Sequence, residues 1–309
     1  MKPEYVVLEL GVATLFTAAA LLALRRGRLP FLELISAATF GLLLEEGDQL
    51  IFGTYHYSPD FVAAIDRAPL AIGLTWALII AGAMRITDAL GVRRRYAPFV
   101  DSLLAISLDL AFDAIAIRVG LWTWRDIPLV AGWYGVPAGN FYAWLFVTFG
   151  FSLLTRWLRD ASRGHPRREW LQLLVPIPAF GLLLLPIVPF AALRPILDPS
   201  PGGGWAMFGL AVAVFGALTA WAIWGTDRGE PDGASDAIIG LRLAFATRLA
   251  IHVIFLGAGA VLGLLASAPI LMAVAAGLLA LEIPLAALAH RRLIAAEPRA
   301  TVKHATVGA

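Results

Sequence analysis

Long apolar runs alternate with short polar gaps along nearly the whole chain. Nine runs stand out, at roughly residues 4–24, 31–53, 68–90, 99–119, 139–158, 170–190, 204–225, 237–264 and 267–289. Each is close to the ~20 residues that a helix needs to cross a bilayer core. In lipid a backbone must satisfy its own polar groups, so such runs form helices. The pattern predicts an all-α polytopic transmembrane helix bundle of about nine spans. Eight remains possible, because the sixth run carries Pro176, Pro178, Pro186 and Pro189 and is the least regular.

Charge then orients the bundle. Arg25, Arg26 and Arg28 follow the first run, Arg93, Arg94 and Arg95 the third, and Arg156, Arg159, Arg163, Arg167 and Arg168 surround the gap after the fifth. Arg228 follows the seventh; Arg291, Arg292, Arg299 and Lys303 follow the ninth. The alternate gaps hold only Arg67, Arg125 and Arg194, with Lys2 at the N-terminus. The positive-inside rule predicts an outer N-terminus and a cytoplasmic C-terminus, which requires an odd number of spans. Composition agrees: 60% of the residues are hydrophobic and 15% charged, against about 25% charged in a soluble domain. The absence of cysteine excludes disulfide, thiolate and Cys-ligated metal chemistry. The first basic cluster follows its apolar run, unlike that of a cleaved signal peptide. The longest polar gap, Thr226 to Asp236, is a Gly/Asp/Pro loop, and there is no repeat or low-complexity segment. Residues 1–309 therefore read as a single integral domain, multi-pass in the cell (inner) membrane. Topology and anionic lipid account for the Arg clusters, which need no nucleic acid. Oligomeric state is left open.

Two runs carry acids at a depth where a charge costs roughly 2.5–3.5 kcal/mol. Glu45-Glu46-Gly47-Asp48 closes the second, and Asp109 and Asp113 lie inside the fourth. Counted from Phe31 and Phe99, Glu45 and Asp113 both sit about 21 Å along their helices, in the outer half of the core. Glu9 in the first run, and Arg248 and His252 in the eighth, fall at a similar level. Asp109 and Asp113 are one turn apart and share a helix face, as do Arg248 and His252. Arg118 lies near the outer surface, and Glu282 reads as separate, in the inner half. Glu33, Arg85, Asp88 and Asp101 lie near cytoplasmic ends, where side chains snorkel to water. A purely architectural reading pairs the buried acids with Arg248 or Arg118 to hold the bundle together.

Aromatic, Gly/Pro-punctuated loops follow the acidic helices. They read Phe52-Gly53-Thr54-Tyr55-His56-Tyr57, Gly120-Leu121-Trp122-Thr123-Trp124 and Trp133-Tyr134-Gly135-Val136-Pro137, the last leading to Asn140-Phe141-Tyr142-Ala143-Trp144. Scattered Tyr and Trp form interfacial belts, but loops of this kind also fold back over a cavity.

At these residues the chain resembles the carotenoid-biosynthesis integral membrane proteins of bacteria and archaea, whose characterised members are carotenoid hydratases such as bisanhydrobacterioruberin hydratase. The resemblance rests on Phe52-Gly53-x-Tyr55-x-Tyr57 after an acidic helix end and on Asp109-x-x-x-Asp113 leading into Gly120-Leu121-Trp122-x-Trp124. Its third part is Tyr134-Gly135-Val136-Pro137-x-x-Asn140-Phe141-x-x-Trp144; together the motifs cover about residues 31–158. Ala114 stands where the family commonly has Pro, Glu46-Gly47-Asp48-Gln49 is more acidic than its pattern, and after Arg168 only hydropathy matches.

The resemblance implies hydration of a terminal C=C bond in an acyclic carotenoid end group. The partners are an apolar polyene or isoprenoid, water and membrane lipid, with no redox cofactor and no metal. A carboxylic acid must protonate the alkene, and water must capture the tertiary cation. A same-face pair can share one proton, acid and base side by side. Asp113, coupled to Asp109, is the expected general acid; Glu45 or Glu46, with Asp48 beside them, would position water or return the proton. Asn140 would hold that water. Tyr55, Tyr57, Trp122, Trp124, Trp133, Tyr134 and Trp144 would line the substrate site, aromatic faces stabilising a cation by about 0.5–2 kcal/mol each. Glu9, Arg118, Arg248 and His252 would be supporting polar groups. Three other readings stay open: a membrane terpene cyclase or isomerase using the same acid; a Mg²⁺-dependent prenyltransferase, disfavoured by the outer position of the acids; and a proton-coupled transporter with Glu9, Asp109, Asp113, Arg248 and His252 as relay.

Overall fold

A computed structural model describes residues 2–224 and 237–306, with side chains described as far as Ala295. The gap Thr226 to Asp236 with Arg228, and the side chains of Arg299 and Lys303, lie outside the described residues. The chain is nearly all-α. Its helices are α1 (Pro3–Arg26), α2 (Arg28–Ile51), α3 (Leu70–Ala89), α4 (Ala97–Val119), α5 (Ala138–Ala161), α6 (Pro176–Leu197), α7 (Trp205–Trp224), α8 (Ala237–Val261), the short α9 (Leu264–Ser267) and α10 (Pro269–Thr306). Seven of them, α1, α3, α5, α6, α7, α8 and α10, are long and apolar enough to cross a membrane.

The acids are what set α2 and α4 apart. These helices have 24 and 23 residues, a spanning length, but carry Glu45, Glu46 and Asp48, and Asp101, Asp109 and Asp113. Their neighbours enclose them. α4 packs against α3, α5, α7, α8 and α10; α2 packs against α1, α3 and α6. α1, whose acids Glu4 and Glu9 lie in its first two turns, is largely exposed. Of the apolar helices, α1, α6, α7 and α10 are the most exposed, whereas α3 and α5 are buried beside the acid-bearing α2 and α4.

The sixth run differs from expectation at its start. Pro166–Leu174 forms a 3-10 helix, and α6 begins only at Pro176, then continues through Pro186, Pro189 and Pro195. The eighth run ends early, at Val261, where Gly263 turns the chain with φ +73°.

The acids expected to snorkel pair inside the bundle instead. Asp101 is fully buried and accepts hydrogen bonds from Ser152 Oγ at 2.5 Å and Arg156 Nη2 at 3.0 Å. Arg156 also pairs with Asp88, and Arg159 bridges Asp88 at 3.2 Å and Glu33 at 2.8 Å. Four helices converge here, and the charges pair with one another, Asp101 and Arg156 buried and Asp88 and Arg159 partly exposed.

Two loops correct the purely helical expectation. β1 (Tyr55–Tyr57), after α2, pairs antiparallel with β4 (Trp122–Trp124), after α4, in the register Tyr55↔Trp124, His56↔Thr123 and Tyr57↔Trp122. Short β2 (Ala64–Ile65) and β3 (Ala68–Pro69) form a second pair. Strand side chains alternate, so both aromatics of each Tyr-x-Tyr and Trp-x-Trp fall on one face, while His56 and Thr123 are exposed. Gly53 (φ +59°) and Gly120 (φ +89°) turn the chain out of α2 and α4 into these strands.

Glycines also set how closely α2 approaches α3. A Cβ on Gly41 would lie 2.6 Å from Trp76 Cβ, and one on Gly73 would lie 2.5 Å from Leu42 Cγ. Small residues allow such backbone approach between membrane helices, and here they seat Trp76 against α2. Gly41→Ala should therefore destabilise the detergent-solubilised protein by about 1–3 kcal/mol through overpacking. Gly209→Ala on α7, whose Cβ would meet nothing within 4 Å, should leave the melting temperature unchanged or slightly raised. Thermal unfolding of the two variants checks the contrast.

Candidate functional site

The ends of α2 and α4 reach one cavity of about 1170 Å³, walled by α1 to α6 and α8 and roofed by the β1–β4 ribbon. Glu45, Asp48, Asp109 and Asp113 line it together with Tyr55, Tyr57, Trp122, Trp124, Asn140 and Trp144. Most of the remaining wall is aliphatic or aromatic.

Glu45 is held from three sides. Tyr55 and Tyr57 both donate to its Oε2, and Trp76 Nε1 donates to Oε1 at 2.5 Å. Burial first, and then the adjacent Glu45 carboxylate, push both phenols well above their ordinary value, so they stay protonated and remain donors. Asp48 is half-buried and accepts from Thr54 Oγ1 at 2.6 Å.

Asp109 and Asp113 are joined by one amide. Asn140 Nδ2 donates to Asp109 Oδ2 at 2.8 Å and to Asp113 Oδ2 at 2.7 Å. Its two hydrogens serve one carboxyl each. Trp122 Nε1 takes the other oxygen of Asp113, Oδ1, at 2.8 Å. Asp109 Oδ1 is buried and has no hydrogen-bond partner among the described residues, and the same is true of Trp124 Nε1. The carboxyl pair thus leaves a single oxygen unclaimed by protein.

Several residues expected at the site lie elsewhere. Glu46 accepts the backbone N–H of Arg67 at 3.1 Å and its guanidinium at 3.3 Å, on the loop side of α2. Glu9 accepts the backbone N–H groups of Val62 at 2.6 Å and Ala63 at 3.3 Å, tying the α2–α3 loop to α1. Arg118 pairs with no acid among the described residues: its guanidinium donates to the carbonyls of Ala114 at 2.7 Å, Tyr134 at 2.6 Å and Leu129 at 3.2 Å. Trp133 turns its indole to the Leu110 carbonyl at 3.2 Å, and neither it nor Tyr134 lines the cavity. This third motif fixes the start of α5, and so Asn140, instead of forming wall.

Arg248 and His252 also face away. Thr247 and Ile251, one position earlier on α8, line the cavity, so Arg248 and His252 fall on the adjoining face, toward α4 and α10. Arg248 Nη2 pairs with Glu282 at 2.6 Å, Nη1 caps the Leu104 carbonyl at 2.8 Å, and His252 Nε2 is 3.3 Å from Glu282. Glu282 is therefore not separate but the centre of a second buried cluster. Sequence reasoning missed Trp76. Its signal was an indole N–H inside an otherwise apolar run, which needs a buried acceptor.

The tyrosines give a pH test. Their raised values make the stabilisation from these phenols complete below about pH 10, the ordinary tyrosine value, and lost as pH rises beyond it. Near pH 10, Tyr55→Phe and Tyr57→Phe should each leave the phenolate absorbance change of the folded protein as it is in the wild type, because neither phenol ionises there. A reduced signal in either variant would contradict the buried geometry.

Comparison with curated proteins and with solved structures returns no match. The family described as carotenoid biosynthesis protein matches residues 3–196. That stretch runs from α1 through most of α6 and contains every carboxylate of the cavity, Asn140 and both aromatic strands. With well over half of its length matched, the chain belongs to the carotenoid biosynthesis protein family.

Proposed function

We propose that this membrane protein is a carotenoid hydratase, adding water across a terminal trisubstituted C=C bond of an acyclic carotenoid end group. The observation that carries the reading is the Asp109/Asp113 pair on one amide, in an apolar aromatic cavity, with Asp109 Oδ1 unclaimed. Membership of a carotenoid-biosynthesis family supports a carotenoid as the substrate. The same proposal takes the whole chain as one integral domain with its acid-bearing end outside the cytoplasm.

The pair carries one proton. Asp109 delivers it through Oδ1 to the alkene carbon bearing hydrogen; a C–H bond forms, the π bond breaks, and the positive charge falls on the tertiary carbon. Water attacks that carbon and loses a proton to Asp113, so the pair again holds one proton and the cycle closes. Assigning the donor role to Asp109 revises the expectation for Asp113, whose two accepted hydrogen bonds, from Asn140 and Trp122, suit a carboxylate that receives the proton. Glu45 serves as a fixed negative charge opposite the cation, with Trp122 and Trp144 as polarisable wall.

In a host that accumulates lycopene, expression of the wild type should yield pigments heavier by one water per reacted end. Asp109→Asn and Asp113→Asn should each lower conversion by about 10²–10⁴-fold, with unchanged protein levels in the membrane. Products of altered retention but unaltered mass would replace hydration with cyclisation or isomerisation by the same acid. An unaltered pigment profile would remove both.

A further inference from the structure

We propose that the gap between α1 and α8 is the lateral portal through which an acyclic isoprenoid hydrocarbon passes from lipid to the acids, and that Gly11 sets its width. The inference rests on the hydratase reading for the identity of the occupant.

Val7 and Gly11 on α1 and Ile254 on α8 line the acid-bearing cavity. Yet Val7 is 70% and Ile254 60% exposed, more than an enclosed wall allows, and Gly11 is exposed as well. Residues that both line a cavity and face outward mark its opening. A Cβ added at Gly11 would meet nothing within 4 Å. α1 packs on α3 and α2 and barely touches α8, so the gap has α3 as its floor.

The chemistry of the gap selects the occupant. From Val7 to Leu15 on α1, and from Ala250 to Ala258 on α8, every lining residue is apolar. An unpaired polar ligand would lose its hydrogen bonds along this path; a hydrocarbon chain loses nothing. The path ends at the reacting groups, because Phe255 of α8 stacks on Phe112 at 5.0 Å, and Phe112 adjoins Asp113 in sequence. The roofed end of the same cavity is different, with Asp48, Thr54, Arg125 and Asp126 in its lining. These stretches of α1 and α8 are thus apolar, whereas the roofed end carries polar groups.

The chain has no cysteine, which allows the portal to be closed after folding. The Gly11→Cys variant, purified and reconstituted in phosphatidylcholine vesicles containing lycopene, is assayed before and after modification with N-benzylmaleimide. Two readouts are taken: hydrated product by mass, and lycopene retained by the protein after purification. Modification should lower both by about tenfold or more by slowing access. The same treatment of a Gly216→Cys variant on α7, where an added Cβ meets nothing within 4 Å, should change neither. Undiminished lycopene retention and conversion after modification at position 11 would overturn the portal and leave the hydratase reading standing. Wild-type protein that retains lycopene without hydrating it would overturn the hydratase reading. Retention alone would then decide the portal.

Discussion

A charge placed among apolar helices must find its partner inside the protein, and this constraint organises the whole bundle. It explains why α2 and α4, the helices with most acids, are surrounded by seven more apolar ones. It also explains why the buried polar groups occur as discrete clusters. At one end Asp88, Asp101, Arg156 and Arg159 neutralise one another. Near the middle, Arg248 and His252 share Glu282. At the other end the carboxylates Glu45, Asp109 and Asp113 have no cation among their hydrogen-bond partners in the described residues. They are held by neutral donors: phenols, indoles and one amide. Two clusters are closed by opposite charge, and the third is left with net acidity facing a cavity.

Much of this was legible in the chain because hydropathy and helix periodicity are local. The apolar runs located the long helices, and helix rise placed Glu45 and Asp113 at one level, where the structure has them lining one cavity. Helix rotation was not legible. A depth count put Arg248 and His252 beside the acids, but a shift of one residue around α8 turns them to another face. Pairing across the bundle was also invisible, so Glu282 looked solitary and Asp101 looked free to reach water. The strands β1 and β4 were written in the sequence as alternating aromatics, but three residues are too short for that period to stand against a membrane-helix background.

The aromatic motifs divide their work. Tyr55 and Tyr57 hold the carboxyl of the helix that precedes them, and Trp122 does the same for Asp113. Each acidic helix therefore ends in a glycine turn and a strand that folds back onto its own acid. The third motif acts at one remove: Arg118 binds its loop, the loop sets the first turn of α5, and Asn140 then bridges the two aspartates.

The β1–β4 ribbon joins these two units edge to edge, and that has a mechanical consequence. Two-stranded ribbons of three residues are marginal by themselves, so the phenols and indole that grip the carboxyls beneath it also help to hold it down. Gripping and roofing are a single equilibrium. Whatever draws one carboxyl away from its donors also loosens the ladder to the opposite strand, and with it the hold on the other acid. The cover and the chemistry it shelters are latched by the same few protons.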